Sequence, residues 1–155
     1  MVYTIVKGEE CMANIFDVAK YILSKEGTMS TWKLEKLCYY SQAWSLAWTD
    51  KPLFQEEFEA WVNGPVCYDL FSLHKGKFTI SAEELLKGEA SNLNRDDRET
   101  VDIVLNHYGK MEPYELRELS HSETPWKEAR GKTPEGVPSS AIITKESMGA
   151  YYGSL

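Results

Sequence analysis

The sequence lacks any C-x-x-C pair, and its three cysteines, Cys11, Cys38 and Cys67, are odd in number and far apart. That spacing argues against a zinc ribbon or a redox dithiol, and free thiols in a reducing compartment are the simplest account. No apolar run approaches the roughly 20 residues that cross a bilayer. A basic start followed by an apolar stretch is also missing, so no secretion signal is read and the cytoplasm is the expected location. Positive charge is scarce: 17 lysines and arginines stand against 24 acidic residues, a net charge of −7. Duplex binding needs a concentrated basic face, so neither direct nucleic-acid binding nor membrane attachment is expected. An acidic chain suits a basic partner, although solubility alone explains the charge equally well. The phosphate fingerprints G-x-G-x-x-G and GK[ST] are absent, as are G-x-S-x-G and H-E-x-x-H. His74, His107 and His121 fall on separate segments without ligand-like spacing, so no metal and no cofactor is expected.

What is present is a globular chain of 155 residues, 43% hydrophobic and 12% aromatic, long enough for one domain with a real core. It is organised around Thr31–Trp48. Leu34, Leu37, Cys38, Ser41, Ser45 and Trp48 line one helical face, and Tyr40, Ala43 and Ala47 line a second. A helix apolar over so much of its circumference belongs in the interior. Ser30 is placed to cap it, and Asp50-Lys51-Pro52 ends it. Met12–Lys25 precedes it as an amphipathic helix capped by Asn14 and closed by Gly27. The pair reads as an αα-hairpin rather than a DNA-reading motif, since the second helix offers only Lys33 and Lys36 on an otherwise core-like surface.

Leu53–Val62 changes to a period of two and predicts a half-buried strand, with Trp61 opposite Phe58 and Val62. An aromatic so placed is packed under a neighbouring helix or available to a partner. Asn63-Gly64-Pro65-Val66 predicts a turn, with Pro65 opening the next helix and Val66, Leu70 and Leu73 on its apolar face. Ser81 and Glu84 predict a brief helix running to Gly88. Further helices are expected from Asn94 to Asn106, from Pro113, from Thr124-Pro125 with Thr124 as cap, and after Ile143, with a loop over 131–138. The expected fold class is α+β, predominantly helical, a single compact domain around a central buried helix with a small sheet or hairpin.

Cys67 is the one candidate nucleophile. In the first turn of a helix begun by Pro65, the helix dipole would lower its pKa. His74 lies two turns on, roughly 10 Å along the axis and too far for a hydrogen bond. A packed thiol is the better reading, and no catalytic residue is assigned.

Five landmarks occur in fixed order: DVAKYIL at 17–23, KLEKLCYYSQAW at 33–44, EAWVNGPV at 59–66, LSHSETPWKEAR at 119–130, and IIT…YY at 142–152. In this order the chain resembles the Panacea domain, the SocA-like antitoxin family, also met as phage-associated proteins. The resemblance covers residues 12–152 and leaves 1–11 as an N-terminal extension to a domain of residues 12–155. It implies a small helical cytoplasmic protein that neutralises a toxin made from a neighbouring gene and has no catalytic residues. One family member resembles an adaptor that presents its toxin to a Clp-type protease, and others look like direct neutralisers. Leu34, Leu37 and Val66 match the motifs as core residues. The partner-binding candidates are Tyr39, Trp61, Tyr68, His121, Trp126 and Arg130, because binding hot spots favour Tyr, Trp and Arg. The 1–11 extension is a further candidate for toxin contact.

Overall fold

A computed structural model describes residues 12–155. The expected extension over 1–11, and any strand or toxin contact within it, lies outside the described residues. Helix α1 is Ile15–Glu26, opened by a full capping box: the Asn14 side chain accepts from the Asp17 amide, and Asp17 accepts from the Asn14 amide. Strand β1 (Met29–Ser30) leads directly into α2, Thr31–Thr49. The Ser30 hydroxyl accepts from the Trp32 and Lys33 amides, and Asp50 ends α2 in the left-handed region at φ 60°. As the composition predicts, α2 is buried nearly all round, including the polar Glu35, Lys36, Ser41 and Gln42. Trp48 departs from that expectation. It sits in the last turn of α2, 49% exposed, leaning on Trp44 instead of between helices.

Strands β2 (Phe58–Trp61) and β3 (Gly64–Val66) form an antiparallel hairpin in which Trp61 faces Gly64 and Ala60 faces Pro65. Gly64-Pro65-Val66 therefore does not open a helix. Pro65 lies on an edge strand, where a missing amide costs no ladder bond, and Gly64 supplies φ 113° beside the turn. Helix α3 starts later, as Tyr68–His74, and Val66 belongs to the strand. Strand β4 (Thr79–Ile80) pairs with β1. The Ser81/Glu84 box forms, with bonds of 2.9 and 3.2 Å, but only turns follow it. The Lys20 ammonium takes the carbonyls of Ala82 and Leu85, and Gly88 lies so close to the Phe16 carbonyl that a Cβ would sit 2.2 Å from it. The segment is thus drawn onto α1 before a helix can continue.

Helix α4 (Arg95–Tyr108) opens with a second Asn/Asp capping box, from Asn94 and Asp97. Helix α5 (Pro113–Ser122) runs into α6 (Thr124–Arg130), whose cap is Glu123 and not Thr124. Strand β5 (Ile142–Ile143) joins the free edge of β2, giving the order β3-β2-β5, and α7 (Lys145–Gly153) follows. Helix α7 packs along α2 more extensively than any other element does, with α4 next. The described fold is α+β and predominantly helical, with seven α-helices and small antiparallel sheets.

Between α2, α4, α6 and α7 lies a tyrosine cluster. Tyr40 and Tyr152 both donate to one Glu123 oxygen at 2.7 Å, and the Trp44 indole donates to the Tyr108 hydroxyl at 2.9 Å. Burial pushes the Glu123 carboxyl upward from its usual range, and the two tyrosine bonds oppose that shift.

Candidate functional site

The interior charges of α2 act as fixings for the surface above them. Glu35 is 0% exposed; one oxygen accepts from the Cys67 amide at 2.8 Å and the other shares a 2.7 Å hydrogen bond with His74 Nε2. A single carboxylate therefore holds both ends of α3. Burial raises the Glu35 pKa, and the His74 and Cys67 contacts oppose that rise. Cys67 is not in the first turn of α3 but is its N-cap, and it is buried. Burial pushes its thiol up to about 12, opposite to the lowering the sequence suggests, even though the Leu70 and Asp69 amides pull the other way. His74 is engaged by Glu35, so no thiol–imidazole pair is assembled.

Lys36 is also buried, and its ammonium finds no hydrogen-bond partner among the described residues. It lies over the Trp32 ring, 5.2 Å from the centroid, and desolvation lowers its pKa to about 8. The Lys36 stem fills the space beneath Gly64, where a Cβ would come 2.4 Å from Lys36 Cε. Lys36 thereby connects the Trp32 ring to the β2–β3 turn.

Above these groups is an open groove of about 530 Å³. Trp32, Trp61 and Tyr68 supply its aromatic surface, Asn63 and Glu59 its polar points, and Pro138 part of one wall. Trp61 is half-buried, its ring edge-on to Phe71 at 4.9 Å and its indole donating to Glu59 at 2.7 Å. Tyr68 is 54% exposed. A second recess shares Glu59 and Tyr68 with the groove and adds Glu56, Glu57 and Asp69. Across both, among the described residues, no lysine or arginine is part of the lining.

Of the six partner-binding candidates, the groove brings together Trp61 and Tyr68. The other four are interior, which corrects the surface positions the sequence suggests. Tyr39 is 1% exposed, bonded to the Tyr152 hydroxyl and packed edge-on against Phe58, because α7 and the sheet close over that side of α2. Trp126 is 4% exposed and donates its indole to the Trp61 carbonyl at 2.9 Å. His121 stacks on Trp126 at 3.8 Å, and burial lowers its pKa. Its two ring nitrogens have no hydrogen-bond partner among the described residues. Arg130 is buried, donating to the carbonyls of Ala60, Pro134 and Val137. These three residues brace the back of the hairpin and the loop over 131–138. Trp32 was not among the candidates; its signal in the sequence was a large aromatic at the mouth of a buried helix.

The family model of the antitoxin SocA-like Panacea domain matches residues 34–127. The chain belongs to this family. No curated protein and no solved structure matches it. The matched span holds the Glu35–His74 frame, the hairpin and Tyr68, while the Panacea-domain match leaves out Trp32 and the loop wall at 138–140. Membership supports an antitoxin role in general terms. No helix among the described residues is long and apolar enough to cross a membrane.

Proposed function

We propose that this Panacea-domain protein binds a protein toxin encoded by a neighbouring gene and neutralises it by direct contact, in the cytoplasm and without chemistry on the toxin. The observation that carries the reading is the use made of Glu35. A buried carboxylate beside a histidine and a cysteine is the group a catalyst would deploy, yet here it fixes the two ends of a surface helix. Domain boundaries of 12–155, with 1–11 as an appendage, belong to the same reading. Co-expression tests it: arrest of growth by the adjoining gene's product is relieved by this protein, and the two co-purify. Arrest that persists in the presence of ample folded protein overturns it.

A second reading is an adaptor that delivers the toxin to a Clp-type protease. It needs two separate binding surfaces, and a second apolar groove of about 250 Å³, lined by Trp44, Trp48, Ile103 and Tyr108, is available between α2 and α4. Relief that disappears in a Clp-deficient host favours the adaptor; relief that survives excludes it.

A further inference from the structure

We infer that the groove over Trp32, Trp61 and Tyr68 is where the toxin docks, and that the docked segment is basic and carries an aromatic or long aliphatic anchor. This rests on the antitoxin reading above and adds to it the face and the chemistry of the partner. Three observations carry it.

The first is aromatic exposure on a rigid base. Tyr68 projects from a helix pinned at both ends by Glu35, Trp61 is braced by Phe71 and Glu59, and Trp32 lies under the Lys36 ammonium. Rings held in one position lose little entropy when a partner covers them, which makes them good anchors.

The second is charge. Glu59 and Asp69 border the aromatic surface, and neither groove nor adjoining recess is lined by a cation. Of the surrounding bases, Lys145 is engaged with Glu57 and the Gln55 carbonyl and Arg117 with Asn63 and Glu118, while the Lys36 ammonium is buried against the Trp32 ring and forms no part of the lining. Asp69 has no charged partner among the described residues. Glu59 and Asp69, without a cation beside them among the described residues, select lysine or arginine flanking an apolar side chain, with cation–π contact to the exposed Tyr68 ring as a further gain. The smaller groove beside Trp48 has no acidic residue in its lining and lacks this selectivity.

The third is main-chain occupancy. Beyond the β5 pairing, the Ala60 and Trp61 carbonyls are taken by Arg130 and the Trp126 indole. A partner cannot add a strand to β2, and the three-residue β3 edge carries Pro65, which has no amide to offer, so recognition on this side falls to side chains.

The test uses the full chain and the full-length product of the adjoining gene. Amide exchange is mapped on the complex, and affinity is measured for wild type, for Tyr68→Ala/Asp69→Lys, and for Trp48→Ala as a control. The groove is supported by protection over residues 59–69 and 137–140, by affinity that falls as salt rises, and by binding at least about tenfold weaker for the double variant with Trp48→Ala unchanged. A complex that is protected elsewhere and tolerates the double variant overturns the groove while leaving the antitoxin reading intact. Absence of any complex overturns that reading and the docking site with it. Should the double variant lose its fold by circular dichroism, Tyr68→Ala alone and the wild-type exchange map decide the question.

Discussion

Glu35 and His74 meet at 2.7 Å with both side chains essentially out of solvent, the first at 0% and the second at 2% exposure. Because the second Glu35 oxygen holds the Cys67 amide, Glu35→Ala leaves an imidazole and a main-chain donor buried without a partner. Breaking a buried pair by removing one member costs about 3–5 kcal/mol. Urea unfolding of Glu35→Ala is expected to show a loss of that order. Tyr68 and Trp61 lose their common support in the same variant, so toxin affinity falls beyond what the unfolded fraction accounts for.

Lys36 gives a pH signature. Its folded-state pKa, about 8, lies below the usual lysine value of 10.5, so the fold prefers the neutral amine. Below pH 8 both states carry the proton and the fold bears the full penalty, roughly 3 kcal/mol at 1.36 kcal/mol per unit. As pH rises past 8 the folded state releases the proton while the unfolded chain keeps it, so stability increases. The gain continues until near pH 9, where the buried thiols of Cys38 and Cys67, and beyond them the buried tyrosines, all with raised pKa values, begin to withdraw stability. Lys36→Met should abolish the rise that begins near pH 8 and be more stable than wild type at pH 7. Chemical denaturation at half-unit pH steps checks both.

Gly64 and Gly27 both have positive φ, 113° and 84°, but differ in what surrounds them. A Cβ at Gly27 meets nothing within 4 Å; one at Gly64 meets Lys36 Cε at 2.4 Å and Ser120 Oγ at 3.1 Å. Gly27→Ala is expected to cost about 1 kcal/mol from conformation alone, and Gly64→Ala about 2–3 kcal/mol. Melting temperatures of the two variants, of Lys36→Ala and of Gly64→Ala/Lys36→Ala separate strain from clash, because in the Lys36→Ala background Gly64→Ala costs only what the clash with Lys36 does not account for.

Cys38 and Cys67 are both buried with raised thiol pKa values. In a Cys11→Ser background, iodoacetamide at pH 7 should leave the native protein unmodified over hours and label both thiols fully in urea. Cys67→Ser should retain growth rescue. Rapid native labelling of Cys67, traced by peptide mass, would show a nucleophile that the burial does not allow.

The parts of the fold legible in the sequence are those set by short-range geometry. Asn14, Ser30 and Asn94 each mark a helix start by accepting from an amide two or three residues on, and Pro113 marks one through its fixed φ at the first helical position. The apolar circumference of α2 announced its burial. What failed depends on distant chain. Gly64-Pro65 has good helix-opening chemistry, and only the antiparallel fit to Ala60 and Trp61 makes it a strand. The Ser81 box was read correctly as a local contact and wrongly as a helix, since Lys20, more than 60 residues away, takes its carbonyls. Half of the groove was visible, because strand alternation set Trp61 apart from Phe58. The rest was not, since Tyr39 is covered by a residue 113 positions along the chain and the wall opposite Trp32 comes from the loop at 138–140.

The grip of Arg130 on Ala60, Pro134 and Val137 has a kinetic consequence. A glycine- and proline-rich stretch that would otherwise sample many shapes is settled when the chain folds. A visitor arriving at that wall finds it already standing. Engagement should then follow collision frequency and long-range attraction, with linear dependence on concentration and no slow closing phase in stopped-flow traces.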